Sequence, residues 1–152
     1  MSNTKAAKVP VWFWIVSLLA LVWYLFGAFQ FYTSITMSAA SLAPMVESGQ
    51  MTQAYADFIL AMPIWVKVLF GTATIGGTLA SIFLLLRKQG AKSLFIISLF
   101  GAILMYTLLY GFGKNLDIIP SSDFIIAGVV MVVTFLMILF SGRMQKRGVL
   151  HR

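Results

Sequence analysis

Residues 84–95 read LLLRKQGAKSLF and place three positive charges within six positions. Residues 68–86 and 93–113, on either side of these charges, carry no charged side chain. An α-helix rises about 1.5 Å per residue, so about 20 residues match a hydrocarbon core of about 30 Å. Two apolar runs joined by a short basic segment predict two membrane-spanning helices and a tight hairpin, with Gly90 as its turn residue.

The composition of the whole chain agrees with this interpretation. Of its 152 residues, 61% are hydrophobic, against roughly 45–50% in typical soluble domains. Eleven Lys and Arg against four Asp and Glu give a net charge of +7. The basic residues separate apolar runs and do not form one stripe, which favours a membrane protein over a nucleic-acid binder. The chain contains no cysteine, which excludes disulfides and thiolate chemistry.

Four segments are long enough to cross a bilayer. They lie at about residues 11–33, 64–86, 93–113 and 122–141, in a single membrane domain covering residues 1–152. Their apolar runs lack the period-2 polarity of barrel strands. The first run is longer than the roughly 7–15 apolar residues of a signal peptide, so we expect it to be retained. The predicted fold is an all-α integral membrane bundle of four transmembrane helices, with a short amphipathic helix in the outer loop.

The basic residues predict the orientation of the helices, because Lys and Arg concentrate on the cytoplasmic side. Both tails and the loop between the second and third helices carry nine of them: Lys5, Lys8, Arg87, Lys88, Lys92, Arg143, Lys146, Arg147 and Arg152. The opposite side carries Lys67, Lys114 and all four acids. We therefore expect a multi-pass protein with both termini in the cytoplasm and residues 34–62 outside.

The outer loop contains one amphipathic segment. Pro44 and the sequence ESGQ are expected to divide the loop in two. In the second piece, one helical face collects the apolar side chains of Met51, Tyr55, Phe58, Ile59 and Met62. This spacing predicts an amphipathic helix of about three turns. It could be a connector that keeps its apolar face out of water, or a lid or docking surface over the mouth of the bundle.

The sequence contains few side chains that could act in catalysis. The one histidine, His151, is expected to be a solvated tail residue. Without a histidine base or a cysteine, we predict neither an enzyme nor a cofactor. The four acids, Glu47, Asp57, Asp117 and Asp123, supply the oxygen ligands that Ca²⁺ prefers. Nothing in their spacing requires a metal, so no metal site is predicted.

Charge is also lacking deep inside the predicted helices. Lys67 is close enough to the outer surface for its ammonium group to reach water. Ion-coupled transporters usually carry a charged side chain within the membrane. The sequence therefore argues against a proton-driven or sodium-driven pump. At the start of the fourth helix, we expect Ser121 or Ser122 to provide the cap and Asp123 to be favourable at the positive end.

Small and polar residues recur on one face of the first three helices. Such faces allow close packing of helices in lipid, which is the simpler interpretation. A second interpretation follows from depth, because uncharged hydrogen-bonding and aromatic groups gather toward the outer ends. These groups would line an outward-opening pocket formed by Trp23, Tyr24, Gln30, Thr74, Tyr106 and Tyr110. Tyr and Trp also anchor helices at interfaces, so both interpretations stay open.

The segment VPVWFWIVSLLALVW at residues 9–23 resembles the start of a family of small bacterial four-helix membrane proteins. The resemblance covers about residues 9–100. Its matching positions are Pro10, Trp12, Phe13, Trp14, Thr36, Met37, Ser38, Pro63, Trp65, Gly76, Gly77, Arg87, Lys88, Ala91, Leu94 and Phe95. Members often carry the label "sugar transporter". The resemblance implies a location in the bacterial cytoplasmic (inner) membrane and identifies no catalytic or binding residues.

Two functions are therefore expected. The first is a non-catalytic accessory or interaction component that packs through its small-residue faces. The alternative is a passive carrier or oligomeric transporter for a neutral small solute, either sugar-like or amphiphilic. The expected partners are the lipid bilayer and either further copies of the chain or another membrane protein, with no nucleic acid.

Overall fold

A computed structural model describes residues 9–110 and 117–151, which form six α-helices and no β-strand. The helices are α1 (Val11–Thr36), α2 (Ala39–Glu47), α3 (Gln53–Leu60), α4 (Ile64–Leu85), α5 (Gly90–Tyr110) and α6 (Ser121–Lys146). Four of them, α1, α4, α5 and α6, are long and apolar enough to cross a membrane. The predicted all-α class and the four apolar spans are confirmed, and this is the pattern of a multi-pass membrane protein.

The last long helix continues well beyond its predicted end at residue 141. It runs to Lys146, with Arg143 and Lys146 in its final turn. Positive charge near a helix C-terminus is favourable because the last carbonyl groups carry partial negative charge. The hydropathy of the sequence marks where the apolar span ends, whereas the helix itself extends further. The predicted end of the third span at residue 113 lies outside the described residues.

The start of α6 differs from the expected cap. Pro120 precedes the helix in an extended conformation, and no side chain caps the first turn. The prediction that Ser121 or Ser122 acts as the cap is wrong, because both residues already lie inside the helix. The fixed φ of proline lets the chain enter a helix at the next residue. Asp123 lies in the first turn, as expected.

The long helices pack in the order α1, α4, α5 and α6, with α4 between α1 and α5. Side chains of α1 and α6, the first and last helices of this series, are also in contact. Near the start of α1, the rings of Trp12 and Phe13 lie 5.5 and 5.9 Å from the ring of Phe140 on α6, measured between centroids. All four long helices therefore meet around a common interior.

The small-residue faces allow this close packing. Gly77 of α4 lies directly beneath the ring of Tyr24, where a Cβ atom would overlap the ring. At Gly101 of α5, a Cβ atom would lie 3.4 Å from the backbone of α4. Glycine is required at position 77, whereas at position 101 a small residue is favoured because α4 approaches closely. The small faces of α4 and α5 are therefore used for packing within this chain.

The hydroxyl groups in the interior have hydrogen-bond partners. Ser17, Ser81 and Thr134 each donate to the carbonyl four residues earlier in their own helix. Ser98 of α5 donates across the helix interface to the carbonyl of Ala73, at 2.5 Å. Among the described residues, no buried side-chain polar atom lacks a partner. This is what an apolar environment requires, because an unpaired polar group is costly there.

The basic hairpin turns at Arg87 and not at Gly90. Arg87 has a φ of 58°, in the left-handed region, whereas Gly90 is the first residue of α5. A left-handed non-glycine residue persists when its surroundings hold it. Here the Nε atom of Arg87 donates to the carbonyl of Val149 at 2.9 Å, and its own carbonyl accepts from the backbone N–H of His151 at 2.6 Å.

The C-terminal segment, residues 148–151, is docked on this hairpin. Gly148 has a φ of +70°, a left-handed conformation that glycine adopts at no steric cost, and it turns the chain back after α6. Val149 and Leu150 are then buried, each with 2% exposure. The side chain of His151 is exposed, as a solvated residue should be. Its backbone is nevertheless held, because its carbonyl accepts from the N–H of Gln89 at 2.9 Å.

The outer loop contains two short helices, α2 and α3. Pro44 lies inside α2 and does not divide the loop as expected, since the helix continues to Glu47 although proline has no backbone N–H to donate. The division falls at the turn between α2 and α3, where Gly49 has a positive φ. Thr52 caps α3 by accepting from the N–H of Tyr55. The α3 helix occupies the middle of the predicted 51–62 segment.

Candidate ligand-binding cavity

A cavity of about 330 Å³ lies at the end of the molecule that carries the outer loop. Residues of α1, α3, α4, α5 and α6 line it. The lining includes all six residues of the predicted outer pocket: Trp23, Tyr24, Gln30, Thr74, Tyr106 and Tyr110. The structure thus brings these six together around one space, and their role in binding a ligand stays a prediction.

Tyr24 and Thr74 form the deeper part of the cavity, and their hydroxyl groups are already engaged. The Tyr24 hydroxyl donates to the Oγ1 atom of Thr134 at 2.8 Å. The Thr74 hydroxyl donates to the carbonyl of Phe70, one turn earlier in α4, at 2.9 Å. Both residues are buried, with 4% and 8% exposure. They therefore shape the cavity more than they offer hydrogen-bond donors to a ligand.

The end of α5 contributes an aromatic wall. The rings of Tyr106 and Tyr110 stack with 5.5 Å between their centroids. Tyr110 also lies 4.7 Å from the ring of Phe124 on α6. Tyr106 and Tyr110 are spaced by four residues, so their side chains follow one another along the same face of the helix. Their rings and hydroxyl groups contribute aromatic and uncharged polar surface to the lining of the cavity.

Helix α3 supplies the part of the lining that closes the loop end. Tyr55, Phe58 and Met62, from the predicted apolar face, line the cavity. The rings of Tyr55 and Phe58 stack at a centroid distance of 6.2 Å. The apolar face of α3 is therefore directed toward the long helices, at the mouth of the cavity.

The hydroxyl of Tyr55 connects α3 to α6. It donates a hydrogen bond of 2.5 Å to the Oδ2 atom of Asp123. Burial raises the pKa of Tyr55 above its usual value, and the hydrogen bond to Asp123 and the charge of that carboxylate raise it further. Tyr55 therefore keeps its proton at neutral pH and acts as the donor. This bond joins the loop to the first turn of the last long helix.

Asp123 is the residue that the sequence analysis missed as part of the pocket. Among the described residues that line the cavity, it is the one charged side chain. The sequence analysis had considered it at the positive end of the last helix and among the acids that could offer oxygen ligands, but not as part of the pocket. The depth of Asp123 along the chain could have indicated this. Asp123 lies at the start of the fourth predicted span and Tyr110 lies near the end of the third, so the two residues are on the same side of the membrane. Both residues must then lie near the same end of the molecule.

The wall between α1 and α6 is continuous with the outer surface. Trp23 and Phe26 of α1 and Ile126 of α6 line the cavity while their side chains remain 37%, 59% and 50% exposed. A molecule with an apolar part can therefore contact the cavity and the surrounding apolar surface at the same time.

The acids do not assemble into a metal site. All four, Glu47, Asp57, Asp117 and Asp123, lie in the described part of the chain. No group of three or more His, Cys, Asp or Glu that could hold a metal ion occurs among the described residues. A hard cation such as Ca²⁺ takes six to eight oxygen ligands. Ca²⁺ coordination by the outer acids is not supported by this geometry.

No protein-family model, curated protein or solved structure matches this chain. The resemblance to the small four-helix family therefore stays a prediction. The function has to be inferred from the chemistry of the cavity itself.

Proposed function

We propose that this chain is a membrane protein that binds a small amphiphilic molecule in the loop-side cavity. The observation that carries this proposal is the continuity of the cavity with the apolar surface between α1 and α6, at Trp23, Phe26 and Ile126. An amphiphile would place its apolar part along this opening and its polar part against Tyr106 and Tyr110. Ligand sites in proteins are commonly apolar cavities with a few convergent polar groups.

The interior beneath the cavity favours binding over conduction. Phe13, Leu84 and Phe95 are completely buried and fill the space between the long helices toward the hairpin end. Tyr24 closes the floor of the cavity above them. These side chains occupy the space that a route through a single chain would need. A carrier function would need a rearrangement of these side chains or several copies of the chain.

We place the protein in the bacterial cytoplasmic membrane with both termini in the cytoplasm. The support is the distribution of nine basic residues against two, together with the family resemblance. In this orientation the cavity faces the outer leaflet, and its ligand is expected to arrive from that leaflet or from outside. The lack of a histidine base or a cysteine supports a non-enzymatic role.

The proposal is tested with para-bromobenzyl alcohol, a small amphiphile whose bromine quenches tryptophan fluorescence. Saturable quenching is expected, and Trp23→Phe should remove most of the saturable signal. Ala102→Phe adds volume at the cavity lining and should weaken binding. The matched control is Ile103→Phe, because Ile103 of the same helix does not line the cavity and its side chain is 43% exposed. Quenching that stays unsaturated, or that Ala102→Phe leaves unchanged, would contradict the proposal.

The accessory role remains a second prediction with weaker support. It relied on small-residue faces as contacts for partner helices, whereas Gly77 and Gly101 pack against neighbours within the chain. A partner would have to use another surface. Purification in a gentle detergent distinguishes the two functions, because co-isolation of one fixed membrane protein would favour the accessory role.

A further inference from the structure

The carboxylate of Asp123 accepts hydrogen bonds in the cavity, and none of its partners among the described residues carries a positive charge. Its hydrogen-bond partners are the hydroxyls of Tyr55, at 2.5 Å, and Ser122, at 3.5 Å. The described residues that line the cavity include no Lys or Arg. A hydroxyl donates a hydrogen bond without supplying an opposite charge. A cation bound beside this half-buried carboxylate would be attracted to its negative charge more strongly than in bulk water.

Four aromatic rings line the same cavity as this carboxylate. Tyr106 and Tyr110 present stacked rings from α5, and Tyr55 and Phe58 present a second stacked pair from α3. All four residues line the cavity together with Asp123. The face of an aromatic ring attracts cations through its quadrupole, and aromatic cages are the usual recognition element for quaternary ammonium groups. Carboxylate and rings therefore favour the same class of ligand.

The charge distribution of the chain points in the same direction. In the predicted topology, all four acids fall on the loop side, with only two of the eleven basic residues. This end of the molecule is therefore acidic, although the chain has a net charge of +7. A surface of one sign raises the local concentration of ions of the opposite sign. Cations are attracted to the end at which the cavity lies.

We infer that the cavity recognises an organic cation with an apolar substituent, whose positive group lies between Asp123 and the rings of Tyr106 and Tyr110. The inference rests on the proposed function and narrows its ligand from amphiphiles in general to cationic ones. An inorganic cation is a poorer match, since one carboxylate supplies too few oxygen ligands for Ca²⁺. The apolar walls suit an alkylated or aromatic amine or a quaternary ammonium compound.

The test compares two probes of one shape. The first is para-bromobenzyl-trimethylammonium, and the second is its neutral carbon isostere, para-bromo-neopentylbenzene. Both are measured by saturable quenching of Trp23 in wild type and in Asp123→Asn. The asparagine keeps an acceptor for Tyr55 and removes the charge. The quantity compared between the two proteins is the ratio of the affinities for the two probes. Each probe partitions into the detergent to the same extent in both experiments, so partitioning does not change the comparison.

We expect Asp123→Asn to lower the preference for the cation about tenfold, equivalent to about 1.4 kcal/mol. Asp57→Asn is the matched control, because it removes an acid of α3 that does not line the cavity, and the preference should persist. If Asp123→Asn does not fold, Asp123→Ser serves instead, since serine also removes the charge and keeps a side-chain oxygen that can accept a hydrogen bond.

The outcomes distinguish the inference of a cationic ligand from the proposal that the cavity binds an amphiphile. Saturable binding of both probes with an unchanged ratio in the Asp123 variant would overturn the cationic ligand and leave the cavity proposal standing. Failure of both probes to quench saturably in wild type would overturn the two together. A preference lost in Asp123→Asn and kept in Asp57→Asn is the result that supports a cation site.

Discussion

The hydroxyl of Tyr24 donates a 2.8 Å hydrogen bond to Thr134, a residue 110 positions further along the chain. The same tyrosine connects the other two long helices. Its ring covers Gly77 of α4 and lies 5.7 Å from the ring of Phe95 on α5. Its carbonyl accepts from the hydroxyl of Thr78 at 3.1 Å. Tyr24 therefore contacts α4, α5 and α6 and forms the floor of the cavity.

Removing this hydrogen bond should destabilise the protein modestly. Tyr24→Phe keeps the ring over Gly77 and deletes the donor, while Thr134 still donates to its own helix at Val130. Hydrogen bonds between membrane helices contribute about 0.6 kcal/mol on average, so we expect a loss of about 1 kcal/mol. Thermal unfolding in detergent micelles measures it. Unchanged stability would mean that the bond contributes nothing in a micelle.

Adding a methyl group at Gly77 should lower the stability of the protein more than adding one at Gly128. Gly77→Ala pushes against the Tyr24 ring, and overpacking a close contact costs about 1–3 kcal/mol. Gly128→Ala is the control, because a Cβ atom there meets nothing within 4 Å. Comparing the unfolding temperatures of the two variants tests the close approach of α1 and α4. Equal effects would show that the tyrosine ring moves aside freely.

The contribution of Tyr55 to stability should depend on pH. Its pKa is raised in the folded protein, so the stabilisation is fully present below about pH 10, the ordinary tyrosine value, and is lost as the pH rises through the higher folded value. We expect wild type to be more stable than Tyr55→Phe at neutral pH and the difference to shrink at alkaline pH. Thermal unfolding of both proteins across this range provides the measurement. A difference that does not change with pH would argue against the contact with Asp123.

The docked C-terminal segment should contribute to stability through Leu150. This side chain is 2% exposed, and truncating a buried leucine typically costs 2–5 kcal/mol, so Leu150→Ala is expected to cost about 2 kcal/mol at this edge of the fold. His151→Ala serves as the control, since its side chain is exposed and its hydrogen bonds come from the backbone. It should change stability by less than about 0.5 kcal/mol. Similar effects of the two changes would indicate a free C-terminal segment.

The orientation can be tested by labelling, because the chain has no cysteine of its own. Gln50→Cys lies in the turn before α3, and Gln145→Cys lies near the end of α6, with both positions exposed. A membrane-impermeant maleimide added to spheroplasts should label the first and reach the second only after lysis. The unsubstituted chain provides the blank. The reverse pattern would overturn the proposed orientation.

Much of the site could be predicted, because depth along a straight helix follows from counting residues. Trp23, Tyr24, Tyr106 and Thr74 were placed near one level from the 1.5 Å rise alone, and they line one cavity. Counting residues gives the depth of a side chain along the helix axis. It does not give the direction in which the side chain points or the residue that it contacts. It could not show that the Tyr24 and Thr74 hydroxyls are already engaged in packing.

Asp123 and Tyr55 show where this reasoning ends. Their hydrogen bond joins residues 68 positions apart, on a loop helix and a membrane-spanning helix. The sequence identified the apolar face of α3, but an amphipathic face fits a lipid interface as well as a protein surface. Only the packing of α3 against the ends of the long helices brings Tyr55 to the carboxylate and makes Asp123 part of the cavity.

The sequence by itself determined the four apolar spans, because the free energy of burying a segment in an apolar environment depends on its own composition. It also indicated which loops share a side, since each charge has its own cost of crossing. Only the tertiary structure decided that Arg87 adopts the left-handed turn and that residues 148–151 dock upon it. Those choices depend on hydrogen bonds between Arg87 and residues about sixty positions away, which no local pattern of charge or hydropathy records.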